Sequence, residues 1–188
     1  MPADTHKAFF HRAVSGPVDF AAPIGRRVRG TTLLIGVILA GLVALNCVLA
    51  FMQRMPEREF WILVLAPVGV LAVLVPVALF SQVLGYRLTA DELLILRRRR
   101  QNHFSLAGLR SVEVDPTAME WSIKILGNDG LGAITGRFRN RKLGAYRAFV
   151  TDRARAVVLR WPDCCLVVSP DRPEEFAAQI GARAGLKI

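Results

Sequence analysis

The sequence predicts an α+β membrane protein: a two-helix transmembrane hairpin followed by a small β-barrel of about seven strands, capped by a C-terminal α-helix. Three observations carry this. Charged residues are missing from 31–53 and again from 60–86, the two stretches that absorb most of the apolar surplus by which the 53% hydrophobic content exceeds that usual for soluble proteins. From Tyr86 onward, continuous apolar sequence gives way to short alternating runs broken by turn residues, the period of half-buried strands. Near the C-terminus, Phe176, Ile180 and Ala184 recur one helical turn apart.

Residues 1–30, with Pro2, Gly16, Pro17, Pro23 and Gly25 and few large aliphatics, read as a disordered basic arm. His6 and His11 share no helical face and have no third ligand, so no metal site is expected there.

Two spans follow, 31–53 and 60–86, each long enough to cross a hydrocarbon core of about 30 Å. Pro67 and Pro76 would break a soluble helix but are tolerated in a membrane one. The first run is too long for a secretory signal and is followed by a second. Arg26, Arg27 and Arg29 precede the hairpin and Arg87 and Arg97–Arg100 follow it, whereas the arginines of the 54–59 loop are balanced by glutamates. The positive-inside bias therefore places both termini in the cytoplasm of a bacterial inner membrane. Phe51, Phe60, Trp61 and Tyr86 lie at span ends, where amphipathic rings favour the interface. Gly36, Ala40 and Ala44 form a small-residue stripe suited to close helix packing, within the hairpin or between two copies. Asn46 is expected to hydrogen-bond across the helices, and the lack of charged side chains in either span excludes pumps and proton relays.

Residues 87–188 form the polar domain, at net +7 the most basic part of a chain whose net charge is +10. Its runs YRLT, LLILRR, HFSL, RSVEV, SIKIL, AITGRF, AYRAFVT, AVVLRW and CLVVS read as seven to nine strands. In the terminal helix, Asp171 is expected to cap the first turn and Pro173 to sit near the first helical position.

The stretch from Gly130 to Trp161 carries Gly130, Gly132, Gly136, Gly144, the Thr151-Asp152 turn and the Val157–Leu159 strand, and is followed by Ser169, Pro170, Pro173 and Phe176. In these features it resembles the bacterial pleckstrin-homology-like (PH-like) domains, including members anchored by two spans. That resemblance implies a seven-stranded bent barrel closed by a helix, with no enzymatic activity tied to it. Phosphoinositide-binding relatives use basic residues in the first interstrand loop; here that loop, Thr89 to Glu92, holds two carboxylates, which argues against inositol-lipid recognition.

Two basic clusters are candidate contacts for anionic lipid or an acidic partner. Arg97, Arg98, Arg99 and Arg100 lie shortly after the second span, each worth about 1 kcal/mol if held at an anionic surface. Strand alternation would turn Arg97 and Arg99 one way and Arg98 and Arg100 the other. Arg137, Arg139 and Arg141 are expected to share one strand face, with Phe138 on the opposite face in the core. Nucleic acid is not an expected partner despite a pI near 10.7, because no aromatics interleave with the basic rows. GNDGLG reads as a hairpin turn with positive φ from Asn128 to Gly130. Cys164 and Cys165 point to opposite faces of a strand and cannot readily chelate one metal. His103, Ser105 and Asp115 spell a hydrolase triad without its nucleophile elbow. No catalytic residue, cofactor or metal is expected. The leading reading is an interaction or assembly platform at the cytoplasmic membrane surface; the alternatives are an anionic-lipid or envelope-stress module and an accessory subunit contacting through its hairpin.

Overall fold

The computed structural model describes residues 16–52, 56–130 and 132–186. His6 and His11 lie outside them. Strand β1 (Val18–Ala21) leads into helix α1 (Arg26–Met52), which is followed by α2 (Glu57–Ser81). Both are long and apolar enough to cross a membrane, and their apolar windows are almost wholly exposed, unlike the core helix of a soluble globule. Side chains at Val28, Thr31, Thr32, Ile35, Leu39, Val43, Asn46 and Ala50 are the less exposed ones on α1, which apart from Thr31 form a single stripe at helical spacing. Gly36, Ala40 and Ala44 are all exposed, and a Cβ on Gly36 would meet nothing within 4 Å. The small-residue stripe therefore does not pack the hairpin. Asn46 donates to the Leu42 carbonyl of its own helix at 2.8 Å, so the expected interhelical bond gives way to a local one.

The second apolar run divides. Its helix stops at Ser81, and Val83–Leu88 form strand β2 instead, with Leu84 and Arg87 exposed and the other four residues buried. Tyr86 is accordingly fully buried in the domain and not at the interface expected of it. Its hydroxyl donates to the Phe149 carbonyl at 2.7 Å and accepts the Ser169 N–H at 3.0 Å; burial pushes the phenol up to about 12.

The remaining strands are β3 (Glu92–Arg97), β4 (Gln101–Ser105), β5 (Ser111–Val114), β6 (Ile123–Asp129), β7 (Ile134–Asn140), β8 (Gly144–Val150), β9 (Val157–Arg160) and β10 (Cys165–Val168). All nine alternating runs are strands. Residues 18–21 add one more, which the proline- and glycine-rich surroundings hid. The described part of the arm is thus ordered: β1 pairs antiparallel with β2, Asp19 forks onto Arg87 at 2.6 and 2.8 Å, and Phe20 is 2% exposed.

The sheets do not close into a barrel. One has the order β1-β2-β3-β4 and the other β5-β9-β10-β8-β7-β6, with β10 parallel to β8. The core between them includes Leu88, Leu93, Ile95, Leu159, Leu166 and Val168. Helix α3 (Pro173–Ala184) closes it with Phe176 and Ile180, the Phe176 ring standing edge-on to Phe20 at 5.0 Å. Arg172, not Asp171, is the N-cap; it makes no side-chain cap bond, Pro173 opens the helix and Gly185 ends it at φ 69°. A second cluster on the other face of the six-stranded sheet gathers Met119, Phe138, Tyr146 and Val158, and Val28 of α1 packs into it.

Candidate functional site

The ends of α1 and α2 nearest the sheets grip the β6–β7 connection. Thr32 donates to the Gly130 carbonyl at 3.0 Å and accepts the Gly132 N–H at 3.3 Å, while a Cβ on Gly132 would lie 2.9 Å from the Ala78 carbonyl. Positive φ falls at Gly127, Gly130 and Gly132 and not at Asn128, because β6 runs on through Asp129 before it turns. Gly127 faces Gly136 across the ladder, and a Cβ on either would come within 2.1 Å of the opposing backbone. Glycine at both positions lets the two strands cross closely there.

Beside this crossing, a cleft of about 470 Å³ opens between the β3–β4 turn and the β7–β8 ladder, with Ser81 of α2 in its wall. Arg97, Arg100, Arg137 and Arg147 line it, and among the described residues no Asp or Glu does. The β3–β4 turn forms because the Arg97 N–H donates to the Arg100 carbonyl at 3.1 Å, bringing Arg97 and Arg100 to the same cleft. Strand alternation fails here, since the chain has already turned. Arg97 donates from Nη2 to the Phe80 carbonyl at 3.2 Å, near the negative end of α2, and its guanidinium lies 5.8 Å from the Phe149 ring. Among the described residues its buried Nε has no partner, nor has the buried Oδ1 of Asn102, which also lines the cleft. Burial first, and the charge of Arg100 second, hold the Arg97 guanidinium below its ordinary value.

Arg137 and Arg147 sit directly opposite each other on β7 and β8, a like-charge pair that costs stability unless something negative joins it. Arg147 also lies 5.6 Å from the Phe104 ring. Arg99 stacks over Phe80 at 4.4 Å, and Arg98 is exposed in the turn outside the cleft.

The expected row Arg137, Arg139 and Arg141 is divided. Phe138 is buried at 1% exposure as alternation requires, but β7 ends at Asn140, so Arg141 lies in the following turn. Arg139 and Arg141 line a different hollow, with Trp121 and Lys142. Arg147, Asn102 and Phe149 were not singled out from sequence. A signal existed: Asn140 pairs with Gly144 around the NRKLG turn, and counting back along both strands puts Arg147 opposite Arg137.

The triad letters are engaged apart from one another. His103 pairs with Glu92 at 3.1 Å, the Ser105 hydroxyl accepts the Ala107 N–H at 3.2 Å, and Asp115 holds Lys142 at 2.6 Å. Among the described residues no cluster of three or more His, Cys, Asp or Glu side chains is placed to hold a metal ion.

Two packed sheets closed by a C-terminal helix, carried on two apolar helices, define the class of architecture. A family model described as a bacterial PH domain matches residues 84–184, more than half of the chain, and the chain belongs to that family. The match begins in β2 and ends with α3, leaving β1 and both apolar helices outside it. No curated protein and no solved structure matches the chain.

Proposed function

We propose that this is a non-enzymatic protein of the bacterial inner membrane whose hairpin holds a PH domain at the cytoplasmic surface, and whose arginine-lined cleft takes the phosphate of an anionic lipid headgroup. The observation that carries this is a cleft lined, among the described residues, by four arginines and no carboxylate, and walled in part by the end of an apolar helix. Guanidinium groups match phosphate oxygens in bidentate geometry, and an anion between Arg137 and Arg147 would relieve their repulsion. The chain leaves α2 at Ser81 and re-enters the domain after Gln82 alone, so headgroups around that helix lie within reach of the cleft. The acidic loop at Asp91 and Glu92 belongs to the opposite end of β3 and does not oppose this.

The test uses the full chain, stripped of lipid in mild detergent, with retained phosphatidylglycerol and phosphatidylcholine counted by native mass spectrometry. Phosphatidylglycerol should be retained selectively, and Arg137→Gln with Arg147→Gln should weaken it about tenfold, a loss of about 1.4 kcal/mol. Arg98→Gln, outside the cleft, should leave retention unchanged. Equal retention of the two lipids, or equal sensitivity to Arg98, would overturn the assignment.

A further inference from the structure

The six-stranded sheet ends on β6, which among the described residues pairs only with β7. An open edge offers backbone N–H and C=O groups to any extended chain, and proteins commonly blunt such edges with charge, proline or a covering element. This edge is apolar: Ile123, Ile125 and Leu126 are 73%, 58% and 70% exposed. Next to it Trp121 is 94% exposed, at a φ of 51° that bulky residues seldom adopt. A hollow of about 910 Å³ runs beside Trp121 and Ile123, with Arg139 and Arg141 lining it and Glu120 its one carboxylate among the described residues. The register sets Ile123 beside Arg139 and Leu126 beside Arg137, with Lys124 on the other face. Asp129, at the far end of the strand, is already taken by Arg153 at 3.1 Å.

We propose that β6 is a docking edge for an extended segment of a partner protein that alternates apolar and acidic residues and adds to the sheet as a further strand. Main-chain bonds supply the attachment and the flanking side chains choose the sequence. Apolar residues cover Ile123, Ile125 and Leu126. Acidic ones on the opposite face meet Lys124, and one at the end of the segment reaches over β6 toward Arg139 on β7, two strand spacings or about 9.6 Å away. A second copy is the poorer occupant, because a two-fold contact would set the same basic edge against itself. The bilayer is poorer too, since Ile123 stands six residues from Asp129, about 20 Å along the strand from the end that touches α1 and α2. The docking edge shares Leu126 with the wall of the arginine cleft, but Lys124 and Arg139, which choose the acidic residues, lie outside it, so the proposal does not rest on the lipid reading.

The full chain in nanodiscs of uncharged phosphatidylcholine is titrated with a fluorescent heptapeptide alternating glutamate and valine, and amide hydrogen exchange is followed in parallel. The peptide should bind and slow exchange across residues 123–129. Lys124→Glu with Arg139→Glu should weaken it at least about tenfold, while a lysine–valine heptapeptide should bind this variant better than the parent, showing that the variant is folded. Failure of both peptides to bind, or binding without β6 protection, would overturn the proposal. So would β6 protection produced without peptide, whether by self-association of the chain or by addition of anionic vesicles.

Discussion

Asp115 is 8% exposed and accepts from the Lys142 ammonium at 2.6 Å, the Thr117 N–H at 3.0 Å and the Thr117 hydroxyl at 2.7 Å. Burial works to raise its carboxyl, but these three donors outweigh it and hold the group below its ordinary 3.8. A carboxylate with a depressed folded value contributes stability that is complete above its unfolded value and lost as pH falls through the folded one. The stability gap between the parent and Asp115→Asn, followed by thermal melting, should therefore be constant from neutral pH down to about 3.8 and narrow below it. A gap that widens on acidification would contradict this sign. None of this network was legible in the sequence, where Asp115 stood only as one of the triad letters. Its partner Lys142 is 27 positions away, and no local period links the two.

At the scale of elements, short runs broken by turn residues exposed every strand from β2 to β10. Strands such as β4 alternate because one side is open to solvent, whereas β9 and β10, buried between the two clusters on both faces, read as continuous apolar runs. Two elements resisted. The start of β2 was absorbed into an apolar span, since only the uncharged Ser81 and Gln82 separate helix from strand and no charged residue marks the break. Strand β1 is four residues long and carries one large buried side chain, too little for a periodic signal; its evidence is the distant pairing with β2. That side chain matters: Phe20 packs on Phe176, and Arg172 lies 5.1 Å from its ring. Phe20→Ala should cost about 3 to 5 kcal/mol in denaturant unfolding of the domain, as for other fully buried aromatic rings. A loss under about 1 kcal/mol would mean that β1 is an ornament on a sheet already complete.

For the molecule as a whole, the family match and the apolar helices are separate findings that the chain joins end to end. The proposed orientation follows from arginines flanking the hairpin and not from its helices. A cytoplasm-only fluorescent reporter fused after Ile188 should be bright, and an alkaline phosphatase in the same place inactive; the reverse pair would turn the protein over and remove the headgroup reading with it. The two arginine clusters were visible as charge in the sequence, but their division into one cleft and one hollow was not. That division depends on where β7 stops and where the β3–β4 turn begins, which are set by backbone bonds and not by composition.

Strand β1 comes before the hairpin and β2 after it, yet the two are neighbours in one sheet, joined to their helices by residues 22–25 and by Gln82. The domain is therefore hung on two short hinges. A body on a single flexible cord can swivel and present any side, whereas two stiff attachments side by side permit little more than a nod. Rotational freedom that a tethered domain would surrender on each encounter is already gone before any ligand arrives, so modest contacts at the cleft suffice to hold what they meet.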